Sequence, residues 1–417
     1  MSLAFHEKLE RYAELAVKIG VGVQPGQRLI LRSPVECAPL ARLVARRAYA
    51  AGARIVETLW VDDDMVLARY QYARPESFDE IADAVPDALN KGSERGDAVL
   101  SIAGTDPDLL KDQDPDRVAK VQKNVQSALR PFSRRVTSKE INWSIIAAPI
   151  PAWARKVHPG VGEAEAMSRL WEDIFRICRV DRPDPVAAWQ EHIKMLKAWR
   201  RYLDAKQYAG LHLRGPGTDL KVGLPRRHLW MGGLSHSAQG MPFIANMPTE
   251  EVFTAPHCRE AEGVVRSTKP LSHAGALIED FELRFAQGKV VGLKAARNEA
   301  VLAKLIETDA GASRLGELAL VPHSSPISQS GLLFYNTLYD ENASCHLALG
   351  RAYRICVENG AQMSDEAFAE AGGNDSLVHT DFMIGSDRLD VSGILADGSE
   401  EPLMRAGEWV SAVTSPH

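Results

Sequence analysis

The stretch Arg28–Val61, RLILRSPVECAPLARLVARRAYAAGARIVETLWV, predicts the fold class of the N-terminal half of the chain. Its first residues, Arg28 to Leu31, are typical of a short buried strand, and Arg54 to Val61 form a second, β-branched strand pattern. The residues between them, Ala38 to Ala51, have the pattern of a helix. Because this connection is long enough for a crossover, we expect a βαβ unit with parallel strands and a right-handed crossover.

Helices and strands on both sides of this unit continue the α/β pattern. Apolar residues at spacings of three and four predict a helix that begins at Phe5 and ends at Gly20. Buried strands are predicted over Ala98–Ala103 and Trp143–Ala148, with a helix over Asp116–Leu129 between them. We therefore expect an N-terminal α/β domain with a mostly parallel sheet.

The chain changes character near the proline-rich segment Asp181–Pro185, which separates helices predicted over 163–178 and 185–203. We place the domain boundary there, which gives an N-terminal α/β domain over residues 1–185 and a second domain over residues 186–417. In the second domain, strand patterns flank glycine turns at Gly215–Gly217, Gln287–Gly288 and Asp397–Gly398. This pattern predicts an antiparallel-rich α+β domain, and the candidate metal ligands lie within it.

Composition limits the classes of protein that the chain can represent. Its 417 residues have a formal net charge of −6, a pI of about 6.1 and a mean hydropathy of −0.20. Apolar runs fall far short of the roughly 20 residues of a membrane helix, and no export signal is visible. The mildly acidic charge disfavours a nucleic-acid partner. The five cysteines are scattered without a C-x-x-C pair, which favours a reducing cytoplasm over a disulfide framework.

The sharpest candidate for chemistry is the segment Val378–Ile384, VHTDFMI. Residues two apart on a strand face the same side, so His379 and Asp381 would present an imidazole beside a carboxylate. That pair suits a divalent metal. The alternative is a histidine on a sheet surface that is paired with a neighbouring acid.

Two further segments contain carboxylates in apolar surroundings. Glu317 is the lone charge in the strand pattern Leu315–Pro322, where a buried acid needs a partner such as a metal, unless it faces water from an edge strand. Glu250 and Glu251 are adjacent between two prolines. In a regular strand they would face opposite sides, so only one could join the other ligands. A surface acidic pair is the alternative.

His346 and Tyr353 are seven residues apart. On a helix they would share one face, two turns apart, and could reach one site. Gly350 weakens the helical interpretation, and a histidine and a tyrosine packed in the core are the alternative.

Four segments, taken together and in order, resemble the thermophilic metalloaminopeptidases, the family typified by aminopeptidases T and S. They are Asn246–Pro256 (NMPTEEVFTAP), Gly316–Pro322 (GELALVP), Asp340–Gly350 (DENASCHLALG) and His379–Ser386 (HTDFMIGS). The stretches Gly20–Gln27 and Trp60–Asp64 resemble the same family, so the likeness covers nearly the whole chain.

The resemblance implies a cytoplasmic, dimeric exopeptidase with two divalent metal ions, commonly cobalt, zinc or magnesium, in its C-terminal domain. Carried over motif by motif, the implied metal ligands are Glu251, Glu317, His346, Tyr353, His379 and Asp381. Glu250 is implied as the general base. The sequence alone leaves open which of the two adjacent acids faces the metals.

Chemistry agrees with this set of residues. Two metal ions about 3.5–4 Å apart can bind the free α-amine, polarise the scissile carbonyl and lower the pKa of a bridging water. A neighbouring carboxylate can take the proton of the water and return it to the leaving amine. We therefore expect an aminopeptidase that acts on peptides.

Two alternatives come from other classes of protein. Some proteins similar to this family are ring-cleaving dioxygenases of dihydroxypyridines with one ferrous iron, and His346, His379 and Asp381 could supply a two-histidine, one-carboxylate triad. The other alternative is a metal-free peptide-binding module on the same fold. Peptide hydrolysis without oxygen, oxygen consumption with a dihydroxypyridine, or neither activity separates the three hypotheses.

Overall fold

The computed structural model describes residues 3–273 and 276–414. The chain divides into two compact units. The first contains the chain up to Glu191 together with residues 234–248 and 333–336, and the second contains the rest. We keep the division between residues 185 and 186 as a proposal about domain organisation.

Four parallel strands form the main sheet of the first unit, in the order β2-β1-β3-β4. They are β1 Arg28–Pro34, β2 Ile55–Val61, β3 Ala98–Ala103 and β4 Trp143–Ala147. Leu29 on β1 lies opposite both Val56 and Ala98, which places β1 between two partners. Leu29 to Leu31 are fully buried, because an inner strand of a parallel sheet is covered on both faces. The predicted βαβ unit and the mostly parallel sheet are confirmed.

Helices occupy most of the connections of the first unit. They are α1 Phe5–Leu15, α2 Ala38–Ala50, α3 Asp63–Tyr72, α4 Ala84–Arg95, α5 Pro115–Ala128, α6 Arg130–Thr137, α7 Pro151–Val157 and α8 Glu163–Ile177. The helix predicted from Phe5 leaves α-helical geometry at Leu15 and continues as π-helical turns over Ala16–Val21. The antiparallel hairpin of β7 Leu234–His236 and β8 Pro242–Ile244 also belongs to this unit. Helix α9 runs over Pro185–Lys206.

The second unit contains a nine-stranded sheet whose strand pairs are all antiparallel. Its strands are β5 Gly210–Gly215, β6 Thr218–Gly223, β10 Ala261–Arg266, β11 Leu271–His273, β12 Ala276–Ala286, β13 Lys289–Arg297, β17 Asp390–Ile394, β18 Glu400–Arg405 and β19 Glu408–Trp409. The three predicted hairpins correspond to the pairs β5–β6, β12–β13 and β17–β18. The antiparallel-rich α+β prediction for the second half is therefore confirmed.

A smaller antiparallel sheet, in the order β16-β15-β14-β9, carries the candidate ligands. Its strands are β9 Val252–Thr254, β14 Leu315–Leu320, β15 His346–Gly350 and β16 His379–Met383. The helical interpretation of His346–Tyr353 is wrong, because residues 346–350 are a fully buried inner strand and Tyr353 follows its end. Short helices α10 Glu299–Ile306, α11 Pro326–Ser330, α12 Thr337–Asp340, α13 Asp365–Glu370 and α14 Ser411–Thr414 complete the second unit.

Candidate metal centre

The register of the small sheet brings its polar residues to one face. Glu317 lies opposite Ala348, and Ala348 lies opposite Asp381. His346 pairs with Ala319, which is two residues after Glu317 and so faces the same side. His379 pairs with Gly350. Small residues thus occupy the positions between the ligand-type side chains, which leaves space for those side chains to converge.

Five of the predicted ligands form two overlapping donor groups. Glu251, Glu317 and His346 make up one group, and Glu317, His379 and Asp381 make up the other; in each, one ligand atom per residue lies within 4.8 Å of the others. Nε2 of His346 is 3.3 Å from Glu251 Oε2 and 3.4 Å from Glu317 Oε1. Nε2 of His379 is 3.7 Å from Glu317 Oε2 and 3.5 Å from Asp381 Oδ1. Glu317 therefore presents one carboxylate oxygen to each histidine.

Backbone carbonyls orient both imidazole rings. Nδ1 of His346 lies 3.1 Å from the carbonyl oxygen of Ser344, and Nδ1 of His379 lies 2.7 Å from that of Arg351. Since a carbonyl accepts only, each Nδ1 carries the proton, and the other ring nitrogen faces the carboxylates. This arrangement is typical of metal-binding histidines.

Burial and crowded carboxylates shift the pKa values at the cluster. Burial lowers the pKa of His346, but Glu317 and Glu251 outweigh burial and raise it to about 10. Burial likewise lowers the pKa of His379, and Asp381 with Glu317 raises it to about 9. Burial raises the pKa of Glu251 to about 8 against the opposing charge of His346. These directions describe a buried cluster with an excess of negative charge.

The cluster fits a bound cation. Oε2 of Glu251 and Oδ1 of Asp381 are buried and accept no hydrogen bond from the described residues. Among the described residues, only His346 and His379 place a group that can carry a positive charge within 4.0 Å of the carboxylates of Glu251, Glu317 and Asp381. Buried carboxylates without adequate partners are costly, and a divalent metal removes that cost. The edge-strand alternative for Glu317 is wrong, because β14 lies between β9 and β15.

Glu250 and Glu251 diverge, because they precede β9 in irregular backbone. Glu251 joins the first donor group, whereas Oε2 of Glu250 lies 3.6 Å from Nε2 of His192. His192 is buried on α9, and its Nε2 also lies 2.7 Å from the carbonyl oxygen of Thr249. The buried side chain of Asn342 accepts a hydrogen bond from the amide of Glu250 at 2.8 Å. Sequence patterns gave no signal for His192, and Asn342 was assigned no role although it lies in the recognised segment Asp340–Gly350.

Tyr353 lies beside the second donor group. Its ring centroid is 5.1 Å from that of His379 and 5.9 Å from that of Phe253. Burial and the charges of Glu317 and Asp381 raise the pKa of its phenol well above the usual value. The ring of Tyr353 therefore packs against the ring of His379, and its role as a metal ligand stays a prediction.

Glu341 is a further acid near the cluster, and sequence patterns assigned it no role. It follows α12 in a 3₁₀ turn over Glu341–Ala343. Burial, followed by the charges of Glu251 and Asp381, raises the pKa of Glu341 well above the ordinary value. Its place five residues before His346, within the segment DENASCH, is the signal that could have indicated it.

The fold and this cluster of carboxylates and imidazoles define the chain as a metalloenzyme. The sequence profile of the thermophilic metalloproteases, M29, matches residues 5–409. The chain belongs to this family, as the four motifs predicted, and it is accordingly a metallopeptidase that requires divalent metal ions.

Named relatives and a solved structure agree with this assignment. The chain is 47% identical to aminopeptidase 2 of Geobacillus stearothermophilus over 405 residues, which cover 97% of this chain and 98% of the relative. It is 43% identical to aminopeptidase T of Thermus thermophilus over 407 residues, which cover 98% of this chain and 99% of the relative. The solved structure of wild-type AmpT from Thermus thermophilus has a TM-score of 0.93 and 42% identity, with 98% and 100% coverage.

The predictions of fold class and of a metal-dependent aminopeptidase are confirmed by these full-length matches. They give no support to the dioxygenase alternative. No helix among the described residues is long and apolar enough to cross a lipid bilayer.

Proposed function

We propose that this chain is a dinuclear-metal aminopeptidase that removes N-terminal residues from peptides. The observation that carries the proposal is the position of Glu317, whose two carboxylate oxygens each face a different histidine. A carboxylate shared by two donor groups is suited to bridge two ions. The names of the relatives, which are aminopeptidases, support the choice of substrate end.

The residues divide between the two metal positions as follows. Glu251 and His346 would hold one ion, His379 and Asp381 the other, and Glu317 would bridge them. Tyr353 would complete the set from beside His379. Because the donors are oxygen-rich with two imidazoles and no thiolate, the site suits hard or borderline ions, and we propose cobalt, zinc or magnesium.

When bound, two such ions supply Lewis acidity and an acidified water. The chain itself must supply the proton carrier. We retain Glu250 as the general base, on the resemblance alone. Glu341 competes for this role, because its charge interacts with Glu251, Asp381 and His346, whereas the carboxylate of Glu250 lies beside His192. A carboxylate close to the metal ligands is placed to take a proton from water and return it to the leaving amine.

The test of this proposal combines elemental analysis with a peptide panel. Purified protein should contain up to two divalent ions per chain and release the first residue of peptides that have a free α-amine. Acetylation of that amine should depress kcat/KM severely, because it removes binding energy used in the transition state. Comparable cleavage of internal bonds in the acetylated peptide would make the protein an endopeptidase.

The remaining expectations are proposals about the environment and assembly of the protein. We propose a cytoplasmic location, supported by five buried cysteines, none of which forms a disulfide bond. We propose a homodimer from the family resemblance. Light scattering of the purified protein measures its mass directly, and a monomer at all concentrations would refute the dimer.

A further inference from the structure

A carboxylate outside the donor groups anchors the segment that leads into His379. Asp309 lies in the loop between α10 and β14. Its Oδ2 accepts a hydrogen bond from the backbone amide of Leu377 at 2.7 Å, and its Oδ1 accepts one from the hydroxyl of Ser376 at 2.9 Å. The same carboxylate accepts the amides of Gly311 and Ala312 within its own loop. The side chain of Asp309 thus forms hydrogen bonds with both the segment that precedes β14 and the segment that precedes β16.

The link continues through Ser376 to the residue before His379. The hydroxyl of Ser376 accepts the amide of Val378 at 3.2 Å while it donates to Asp309. The carbonyl of Val378 accepts the amide of Arg351 at 2.7 Å. The carbonyl of Arg351 in turn accepts the Nδ1 proton of His379. The chain of hydrogen bonds therefore ends on the ring that faces Glu317 and Asp381.

Asn374 adds further hydrogen bonds between the segment before His379 and its neighbours. It is buried, and its Nδ2 donates to the carbonyls of Gly350 and Gly311 at 2.6 and 2.9 Å. A Cβ on Gly311 would meet the carbonyl oxygen of Asp375 at 1.9 Å, so the Asp309 loop lies directly against this segment. Leu377 is 83% exposed, which means that hydrophobic burial does not hold this residue in place.

The carboxylate of Asp309 is ionised at neutral pH. Burial by itself raises the pKa of Asp309, but the hydrogen bonds from Leu377, Ser376 and the two loop amides outweigh burial and lower it. An anionic acceptor makes stronger hydrogen bonds than a neutral one.

We infer that Asp309 is a positioning residue for one of the two metal ions. Through Ser376 and Leu377 it fixes the position of His379. It therefore sets the affinity for the ion that His379 would bind, and not the affinity for the ion that His346 would bind. His346 lies outside this network, because its Nδ1 is held by Ser344. The inference rests on the proposed two-metal site. Outer residues that orient metal-ligating histidines change metal affinity by about 10–100-fold when they are removed.

The experiment is a titration of metal-free protein with Zn²⁺ against a chromophoric chelator, repeated with Co²⁺ by visible absorption. We expect Asp309→Ala to weaken one of two binding steps by about 10–100-fold and to leave the other unchanged. Ser376→Ala should produce the same selective change to a smaller extent, and Ser376→Thr, which keeps the hydroxyl, should restore the affinity. His379→Ala should lose the same step, so adding Asp309→Ala to it should have little further effect on metal binding.

A matched control separates positioning from general destabilisation. Asp397 also accepts a serine hydroxyl and a backbone amide, both from Ser399, in the turn between β17 and β18. Asp397→Ala should leave both binding steps unchanged. Equal weakening of both steps in Asp309→Ala, or wild-type affinities in folded Asp309→Ala and Ser376→Ala, would overturn the inference. Wild-type protein that binds one ion or none would instead refute the proposed two-metal function.

Discussion

Nε2 of His346 lies 3.3 Å from Oε2 of Glu251, and that buried carboxylate oxygen accepts no hydrogen bond from any residue that the structure describes. Glu251 lies in the irregular backbone just before β9 and His346 is the first residue of β15, so the two come from motifs far apart in the sequence. A histidine and an acid at this distance could form a simple ion pair. The presence of Glu317 and Asp381 beside them gives the cluster more negative charge than two imidazoles can balance. This excess is the physical reason to expect a metal.

Removal of metal should affect activity and stability together. Dialysis against a strong chelator should abolish peptide hydrolysis, and cobalt or zinc should restore it. Since the ligands come from four segments of the second unit, metal-free protein should also be more easily unfolded there. Hydrogen exchange should show faster opening of β14, β15 and β16 and little change in the parallel sheet. Full activity in protein that contains no metal by elemental analysis would contradict the metal requirement.

Glutamine substitutions should separate the three acids near the centre. Glu251→Gln should lower metal occupancy, because it removes a charged donor from the first group. Glu250→Gln should keep both metals and lower kcat by roughly 10²–10⁴-fold if Glu250 is the base. The measurements are metal content and kcat for each variant.

Glu341→Gln provides the competing outcome. A fall in kcat with retained metal in this variant, together with normal turnover in Glu250→Gln, would assign the base to Glu341. Affinity for a product analogue should change little in whichever variant has lost the base, since that group acts mainly in the transition state.

Gly316→Ala should disturb the metal centre indirectly, through the backbone carbonyl that orients His379. A Cβ at this position would lie 2.2 Å from the carbonyl oxygen of Gly350 and 2.5 Å from that of Arg351. The Arg351 carbonyl must then move, and it is the acceptor that orients His379. We expect a loss of about 1–3 kcal/mol in the free energy of unfolding, with weaker metal binding. Gly162→Ala is the control, because among the described residues no atom beyond its own chain neighbours lies within 4 Å of its added Cβ. Urea unfolding of both variants gives the comparison.

Acid should weaken an ion-pair cluster on the nine-stranded sheet. Glu400 Oε1 lies 2.8 Å from Nδ1 of the buried His212, and Arg214 lies 3.0 Å from Oε2. The hydrogen bond with His212 lowers the pKa of Glu400 against a smaller opposing effect of burial. A lowered folded-state pKa stabilises the protein above the ordinary glutamate pKa, and this stabilisation disappears as the pH falls through the folded value.

Glu400→Gln should therefore be less stable than wild type at pH 7, by at most about 1 kcal/mol because the group is partly exposed. The difference should shrink as the pH falls below about 4. Urea unfolding at a series of pH values measures it, with Glu358→Gln, from an exposed pair with Arg227, as the control. If the difference in the free energy of unfolding between wild type and Glu400→Gln stayed constant down to pH 2, the ion pairs of Glu400 would not be its cause.

Local periodicity is enough to predict strands of the parallel sheet and three hairpins of the nine-stranded sheet. The strands Arg28–Leu31, Ala98–Ala103 and 143–148 were recognisable because strands covered on both faces are continuously apolar. The glycine turns of the second half likewise predicted its hairpins. The helical interpretation of His346–Tyr353 fails, because a seven-residue spacing matches two helical turns as well as a strand followed by a loop.

The sequence by itself determined the family, the fold class and the identity of the ligand-type residues, since these depend on residue types and on short spacings. Tertiary structure alone decided that Glu317 faces both histidines and that Glu250 and Glu251 diverge. It also revealed Glu341 near the cluster and the connection from Asp309 to His379. The physical reason is that strand register and loop packing fix distances between segments that are far apart along the chain, and no local pattern encodes those distances.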